Sequence, residues 1–299
     1  MSNAWQYYAL RSMSFIVCLL PYSSVLFLGN NVGKLYYHIA GRQRKRALSQ
    51  MQECLGIPLE AAQQNVHKMF RKLGQTFLEI LYTPVLAPEK IRNYVTIENR
   101  HYLESAMQNG QGVVLLTAHF GNWEWLGAAL ALEKFPIAGV AKRQPNDQHT
   151  RILNEYRQRV GIELFIRGTS EMINAARAIK QGRMLGLVAD QDAGPKGIFV
   201  EFFGKPSSTP IGPAFFAKKF KAPVIPVFLV RKPEGGHRMI CHEPLYYQDT
   251  GNEAEDIYRF TVETTHVIEE IIRQYPDEWI WFQKRWNTSK PEERIGAQV

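Results

Sequence analysis

His119 and Glu124 stand five positions apart in LLTAHFGNWE, residues 115–124, where an imidazole and a carboxylate follow directly on an apolar run. Such a pair is material for general-base chemistry. A carboxylate on one ring nitrogen fixes the tautomer and leaves the other nitrogen free to take a proton. On one α-helix, residues five apart diverge by about 140°, so a shared helix would splay the two side chains. They meet only if His119 sits on a turn behind a strand and Glu124 lies in the first turn of the next helix, with Gly121 and Asn122 as bend and cap. The flanks agree: residues 111–118 read as a strand, and residues 123–132 are apolar and rich in helix formers.

The elements needed to hold such a turn follow from the change of period along the chain. Up to about residue 97 the pattern is helical. Within residues 61–82, Val66, Met69, Phe70, Leu73, Phe77, Ile80 and Leu81 recur at helical steps. Beyond that, residues 113–116, 137–140, 163–166, 184–188 and 224–229 read as short buried strands, with helices predicted between them, for example at 149–159 and 171–180. Strands alternating with helices predict an α/β fold: a largely parallel central sheet flanked by helices, with a helical, membrane-associated N-terminal extension. Ligands of such sheets gather at the carboxyl ends of the strands, where His119 falls.

Three further stretches carry site chemistry. Residues 161–171 (GIELFIRGTSE) end a strand on Arg167, a guanidinium suited to phosphate or to charge developing on a carbonyl oxygen; the plain alternative is a surface ion pair. Residues 188–194 (VADQDAG) carry Asp190 and Asp192, and such a pair holds Mg²⁺, pairs with an arginine or caps a turn; the last two are favoured, since little else here suggests a phosphate-bound metal. In residues 198–219 (IFVEFFGKPSSTPIGPAFFAKK) an aromatic, hairpin-like piece leads to Ser207, Ser208 and Thr209. Pro210, Gly212 and Pro213 follow, an arrangement apt to open a helix.

The 299 residues carry a formal net charge of +8, with basic clusters at 41–46 and 217–221. This balance suits a membrane surface, a phosphorylated lipid or an acidic carrier protein. The scattered aromatics follow no nucleic-acid module, and no nucleic-acid partner is expected. Cys18, Cys54 and Cys241 are isolated, with no CxxC and no metal-like spacing to histidine, and are expected to be reduced thiols. Residues 13–28 (MSFIVCLLPYSSVLFL) form an apolar run broken by Pro21, Ser23 and Ser24, shorter than the roughly 20 residues of an ordinary spanning helix. A helical hairpin in the protein body, an interfacial anchor and a short span all fit; a retained anchor over residues 1–40 is expected, ahead of a domain at 41–299 with a helical lead-in at 41–97. The basic cluster behind the run places the remainder on the cytoplasmic side.

In this order the blocks HFGNWE, GIELFIR, VADQDAG, FFGKPSSTPIGPAFFAKK and YPDEWIWFQKRW resemble those of the late acyltransferases of lipid A biosynthesis, the lauroyl and myristoyl transferases. More distantly they are similar to the glycerolipid acyltransferases with a His-x4-Asp/Glu motif. The resemblance covers nearly the whole chain and implies transfer of a fatty acyl chain from a thioester to a lipid hydroxyl at the cytoplasmic face of the bacterial inner membrane. His119 and Glu124 take the catalytic places, His119 as base and Glu124 as its orienting partner. Arg167, with nearby backbone amides and Asp190 holding the arginine, would bind oxyanion or acceptor; Asn122, Ser207 and Ser208 complete the expected substrate-side set. Partners would be an acyl carrier protein or coenzyme A thioester, an anionic glycolipid or phospholipid, and the membrane, with no metal or other cofactor. Phe199, Phe202, Phe203, Phe215 and Phe216 are candidates for an acyl channel or for ordinary core. Rival expectations are the same chemistry on a lysophospholipid or phosphoinositide mannoside, a metal hydrolase using His119, Glu124 and Asp190, and a non-catalytic membrane adaptor.

Overall fold

The computed structural model describes residues 4–108, 110–141, 147–166 and 171–290. Its helices are α1 (Ala4–Cys18), α2 (Tyr22–Ile39), α3 (Gly41–Leu55), α4 (Leu59–Tyr82), α5 (Pro88–Tyr94), α6 (His101–Gln108), α7 (Trp123–Leu132), α8 (Asp147–Arg159), α9 (Glu171–Lys180), α10 (Gly212–Phe220) and α11 (Glu253–Gln274). Its strands are β1 (Val95–Glu98), β2 (Val113–Thr117), β3 (Ile137–Ala141), β4 (Glu163–Ile166), β5 (Met184–Val188), β6 (Ile198–Phe202), β7 (Lys205–Thr209), β8 (Val224–Arg231) and β9 (His237–Cys241).

Among the described residues, seven strands form the central sheet in the order β1-β9-β8-β2-β5-β3-β4, while β6 and β7 make a separate hairpin. Pairing is parallel from β8 across β2, β5 and β3 to β4. Within this sheet, among the described residues, the one antiparallel pair is β8 with β9, and β1 follows β9 in parallel. β2 lies at the centre and all five of its residues are buried, as a strand covered on both faces requires. Its side chains alternate between the two cores. Val114 and Leu116 face one that includes Phe165, Phe216, Trp279 and Trp281, whereas Val113 and Leu115 face another that includes Val25, Ile91 and Trp125.

Residues 95–98, where the helical pattern was expected to run out, instead form the edge strand β1. Four residues with polar Thr96 and Glu98 give too little alternation to mark a strand alone. β9 and the long helix α11 complete the sheet edge and one face without an equivalent in the sequence reading.

The N-terminal helices share the second core: Tyr7, Val17 and Val25 pack in the same cluster as Trp125 and Leu229. α2 and α4 touch backbone to backbone. A Cβ on Gly29 would stand 2.6 Å from Cα of Gln75, and one on Gly33 would run into the Phe70 carbonyl oxygen. Tyr7 and Arg11 of α1 both reach Glu155 on α8, at 2.9 and 2.7 Å. Among the described residues no helix is long and apolar enough to cross a membrane. The outer faces of α1 and α2 nevertheless expose Trp5, Phe15, Ile16, Phe27, Leu35 and Ile39.

Candidate active site

The parallel register of β2 on β5 sets Thr117 opposite Val188. His119 and Asp190 each lie two residues further on, beyond the carboxyl ends of neighbouring strands, and so converge. Asp190 Oδ1 takes His119 Nδ1 at 2.8 Å, and its Oδ2 accepts the His119 backbone N–H at 3.0 Å. Oδ2 also accepts Trp279 Nε1–H at 2.7 Å and Gln283 Nε2–H at 3.0 Å. Because a carboxylate only accepts, Nδ1 carries the proton and Nε2 presents a lone pair. The Asp190 side chain is fully buried, while that of His119 keeps 22% of its surface exposed.

The electrostatics follow. Burial pushes the Asp190 carboxyl up, but the imidazole beside it and the Gln283 and Trp279 donors outweigh this and hold it far below the usual carboxylate range. Burial pulls His119 down; the charge and hydrogen bond of Asp190, with a smaller contribution from Glu124, more than reverse this and raise its pKa above the ordinary histidine value.

Glu124 is placed differently from the expectation. It sits in the first turn of α7, as predicted, yet its carboxylate is taken by Arg157 of α8 through Nε at 2.8 Å and Nη2 at 2.5 Å. A planar guanidinium matches a carboxylate at two points, which an imidazole does not, so the arginine wins the side chain. Asp190, expected to hold an arginine, holds the histidine instead. The sequence reading placed residue 157 on a helix but gave it no role, since nothing local distinguishes it from other helical arginines. Arg167 lies outside the described residues.

The turn itself is fixed from behind. Gly121 adopts φ +56°, and a Cβ there would collide with the Leu229 carbonyl oxygen, so the bend needs glycine. Asn122 caps α7 as expected, its side chain accepting from Trp125 N at 3.0 Å. It is fully buried, however, and its amide donates to Glu79 at 2.8 Å, so it supports the turn rather than touching substrate. The closing tryptophan-rich stretch runs along the other side: Gly121 N–H donates to the Glu278 carbonyl at 2.9 Å, and Phe120 bridges to Trp279.

Ser207 and Ser208 also leave the substrate-side set. They lie on β7 with no exposed surface, and their hydroxyls donate to the carbonyls of Val200 at 3.1 Å and Gly194 at 2.6 Å. α10 does open at Gly212, beside Pro213. Phe202, Phe203 and Phe216 are core, Phe202 packing against Trp279 and Trp286, whereas Phe215 is exposed. Gln191, Trp279 and Gln283 join the site although no local pattern in the sequence marks them. Gln191 Nε2 stands 3.4 Å from His119 Nε2. An oriented base with its accepting nitrogen toward the exposed side, next to a partly buried carboxylate–guanidinium pair, is equipped to deprotonate a hydroxyl and stabilise an anion.

The family described as bacterial lipid A biosynthesis acyltransferase matches residues 1–288. The chain is similar to the phosphatidylinositol mannoside acyltransferase of Mycolicibacterium smegmatis, with 24% identity over 221 residues covering 72% of this chain and 70% of the relative. It is also similar to the lipid A biosynthesis palmitoleoyltransferase of Escherichia coli, with 24% identity over 275 residues, 90% of this chain and 87% of the relative. The lipid A biosynthesis lauroyltransferase of Escherichia coli shares 23% over 282 residues, 93% and 90% of the two chains.

Proposed function

Because the chain belongs to the bacterial lipid A biosynthesis acyltransferase family, we propose that it moves a fatty acyl chain from an acyl carrier protein or coenzyme A thioester to a hydroxyl of a lipid A precursor or similar glycolipid. The observation that carries this is the imidazole held by Asp190 with Nε2 toward the exposed side. His119 Nε2 takes the proton as the acceptor oxygen attacks the thioester carbon. Asp190 offsets the imidazolium that forms, and the proton then passes to the departing thiolate. Arg157, oriented by Glu124, supplies the cation for the oxyanion or an acceptor phosphate. The exposed apolar faces of α1 and α2 rest in the interface of the cytoplasmic leaflet, with the basic residues of α3 favouring its anionic lipids.

The similarity to the mycobacterial relative supports a second acceptor, a mannosylated phosphoinositide. Purified protein given a radiolabelled acyl thioester and each acceptor in turn tests both: label should move to one glycolipid and not with His119→Ala. Full transfer by folded His119→Ala overturns the mechanism. For the membrane, Phe15→Ser with Ile16→Ser should reduce flotation with anionic vesicles; unchanged flotation removes the interfacial role.

A further inference from the structure

The nitrogen on which this chemistry turns is not bare. Asp190 can only accept, so Gln283 must turn its NH₂ to Oδ2, which leaves its carbonyl oxygen facing Gln191. That oxygen takes one hydrogen of the Gln191 amide at 3.4 Å, and the second points at His119 Nε2, also at 3.4 Å. A closed ring results: Asp190, His119, Gln191, Gln283 and back to Asp190. Its two halves differ in strength. The bonds to Asp190 measure 2.8 and 3.0 Å, whereas those of Gln191 lie at the long limit of hydrogen bonding, and Gln191 is exposed.

We infer that Gln191 is an exchangeable cap on the base, which holds water off His119 Nε2 until the acceptor hydroxyl replaces it. The inference rests on the function proposed above. A thioester beside a general base is exposed to water: the water oxygen would bond to the carbonyl carbon, the C–S bond would break, and the proton would pass through Nε2 to the thiolate, releasing free fatty acid. Water has no other binding interaction with which to displace the amide. A lipid acceptor has many, and can spend part of that binding on opening the cap. The cap therefore slows hydrolysis more than transfer, and its long contacts keep it removable.

The test is a partition ratio, which does not depend on the folded fraction. Thiol release from palmitoyl-coenzyme A and from the matching acyl carrier protein thioester is followed without acceptor, and ester formation with a detergent-dispersed lipid A precursor or phosphatidylinositol mannoside. In Gln191→Ala and Gln191→Leu the ratio of hydrolysis to transfer should rise roughly tenfold over wild type, about what one neutral hydrogen bond confers. An unchanged ratio, with both rates falling together or neither moving, overturns the cap while leaving the acyltransferase reading intact. Wild-type protein that transfers from neither thioester to either acceptor removes both.

Discussion

Among the described residues two histidines pair with fully buried carboxylates, built alike and suited to opposite ends. His119 meets Asp190 at 2.8 Å, and His237 meets Glu79 at 3.1 Å. Both carboxylates are fully buried and each takes several donors. Those around Asp190 other than its histidine are neutral. Glu79 instead receives the Arg231 guanidinium at two points, 2.7 Å each, with Tyr22 at 2.7 Å and Asn122 at 2.8 Å. Burial pulls both imidazoles down. At His119 the Asp190 charge reverses this; at His237 Arg231 cancels much of the Glu79 charge, so burial prevails and the pKa stays below the ordinary value. His237 has no exposed surface, and its Nδ1 finds no hydrogen-bond partner. A histidine beside a carboxylate thus suits the base proposed above only where no guanidinium bonds the same carboxylate and the second nitrogen can be reached. The other pair is structural and ties α2, α4, β8 and β9 to the cap of α7.

The comparison is broken most severely at the bases themselves. His119→Ala should lower turnover by about three to four orders of magnitude, and Asp190→Asn by about three, with little change in thermal midpoint. His237→Gln should leave turnover per folded molecule within about threefold; a loss matching that of His119→Ala would make the second pair catalytic. Next in size, Glu79→Ala strands the buried Arg231 and should cost about 3–5 kcal/mol in denaturant unfolding, and a variant as stable as wild type would contradict the structural role. Glu124→Ala and Arg157→Ala should each reduce turnover about a hundredfold, and the double variant little more, because each positions the other. Losses that simply multiply would separate the two residues.

The smallest effect is the most diagnostic. Ring resonances followed against pH should show His119 titrating above the ordinary value of about 6.5 and His237 below it. Turnover, which needs neutral His119, should accordingly climb as pH rises through the raised value. Linkage gives the stability signs. The His119 pair stabilises the fold fully below about pH 6.5 and loses that contribution as pH rises through its folded pKa, whereas His237 contributes above about 6.5 and loses it as pH falls. Identical midpoints for the two rings would erase the distinction.

What was legible in the sequence was local. The bend at Gly121, the Asn122 cap and α7 follow from residues within a few positions of one another, as does the period that marks β2, β5 and β8. Glu124 was the nearest carboxylate to His119 and so the natural partner on spacing. The one that holds it lies 71 residues away and is brought close by strand order, which no local pattern encodes. Had β2 been known to lie against β5, Thr117 opposite Val188 would have named Asp190 at once. Arg157 and Glu79 are hidden for the same reason, and the exposed faces of α1 and α2 look in sequence like any apolar run until the glycines of α2 are seen against α4.

The clamp on Asp190 also fixes a sequence of events during synthesis. Chains emerge amino end first, at about 5–20 residues per second, and fold as they lengthen. The apolar faces of α1 and α2 leave the ribosome before His119, while Trp279 and Gln283, which hold Asp190 against it, follow long after it. Under the function proposed above, a nascent polypeptide would meet a lipid surface well before its base is assembled, so that reactive machinery would be armed only after delivery.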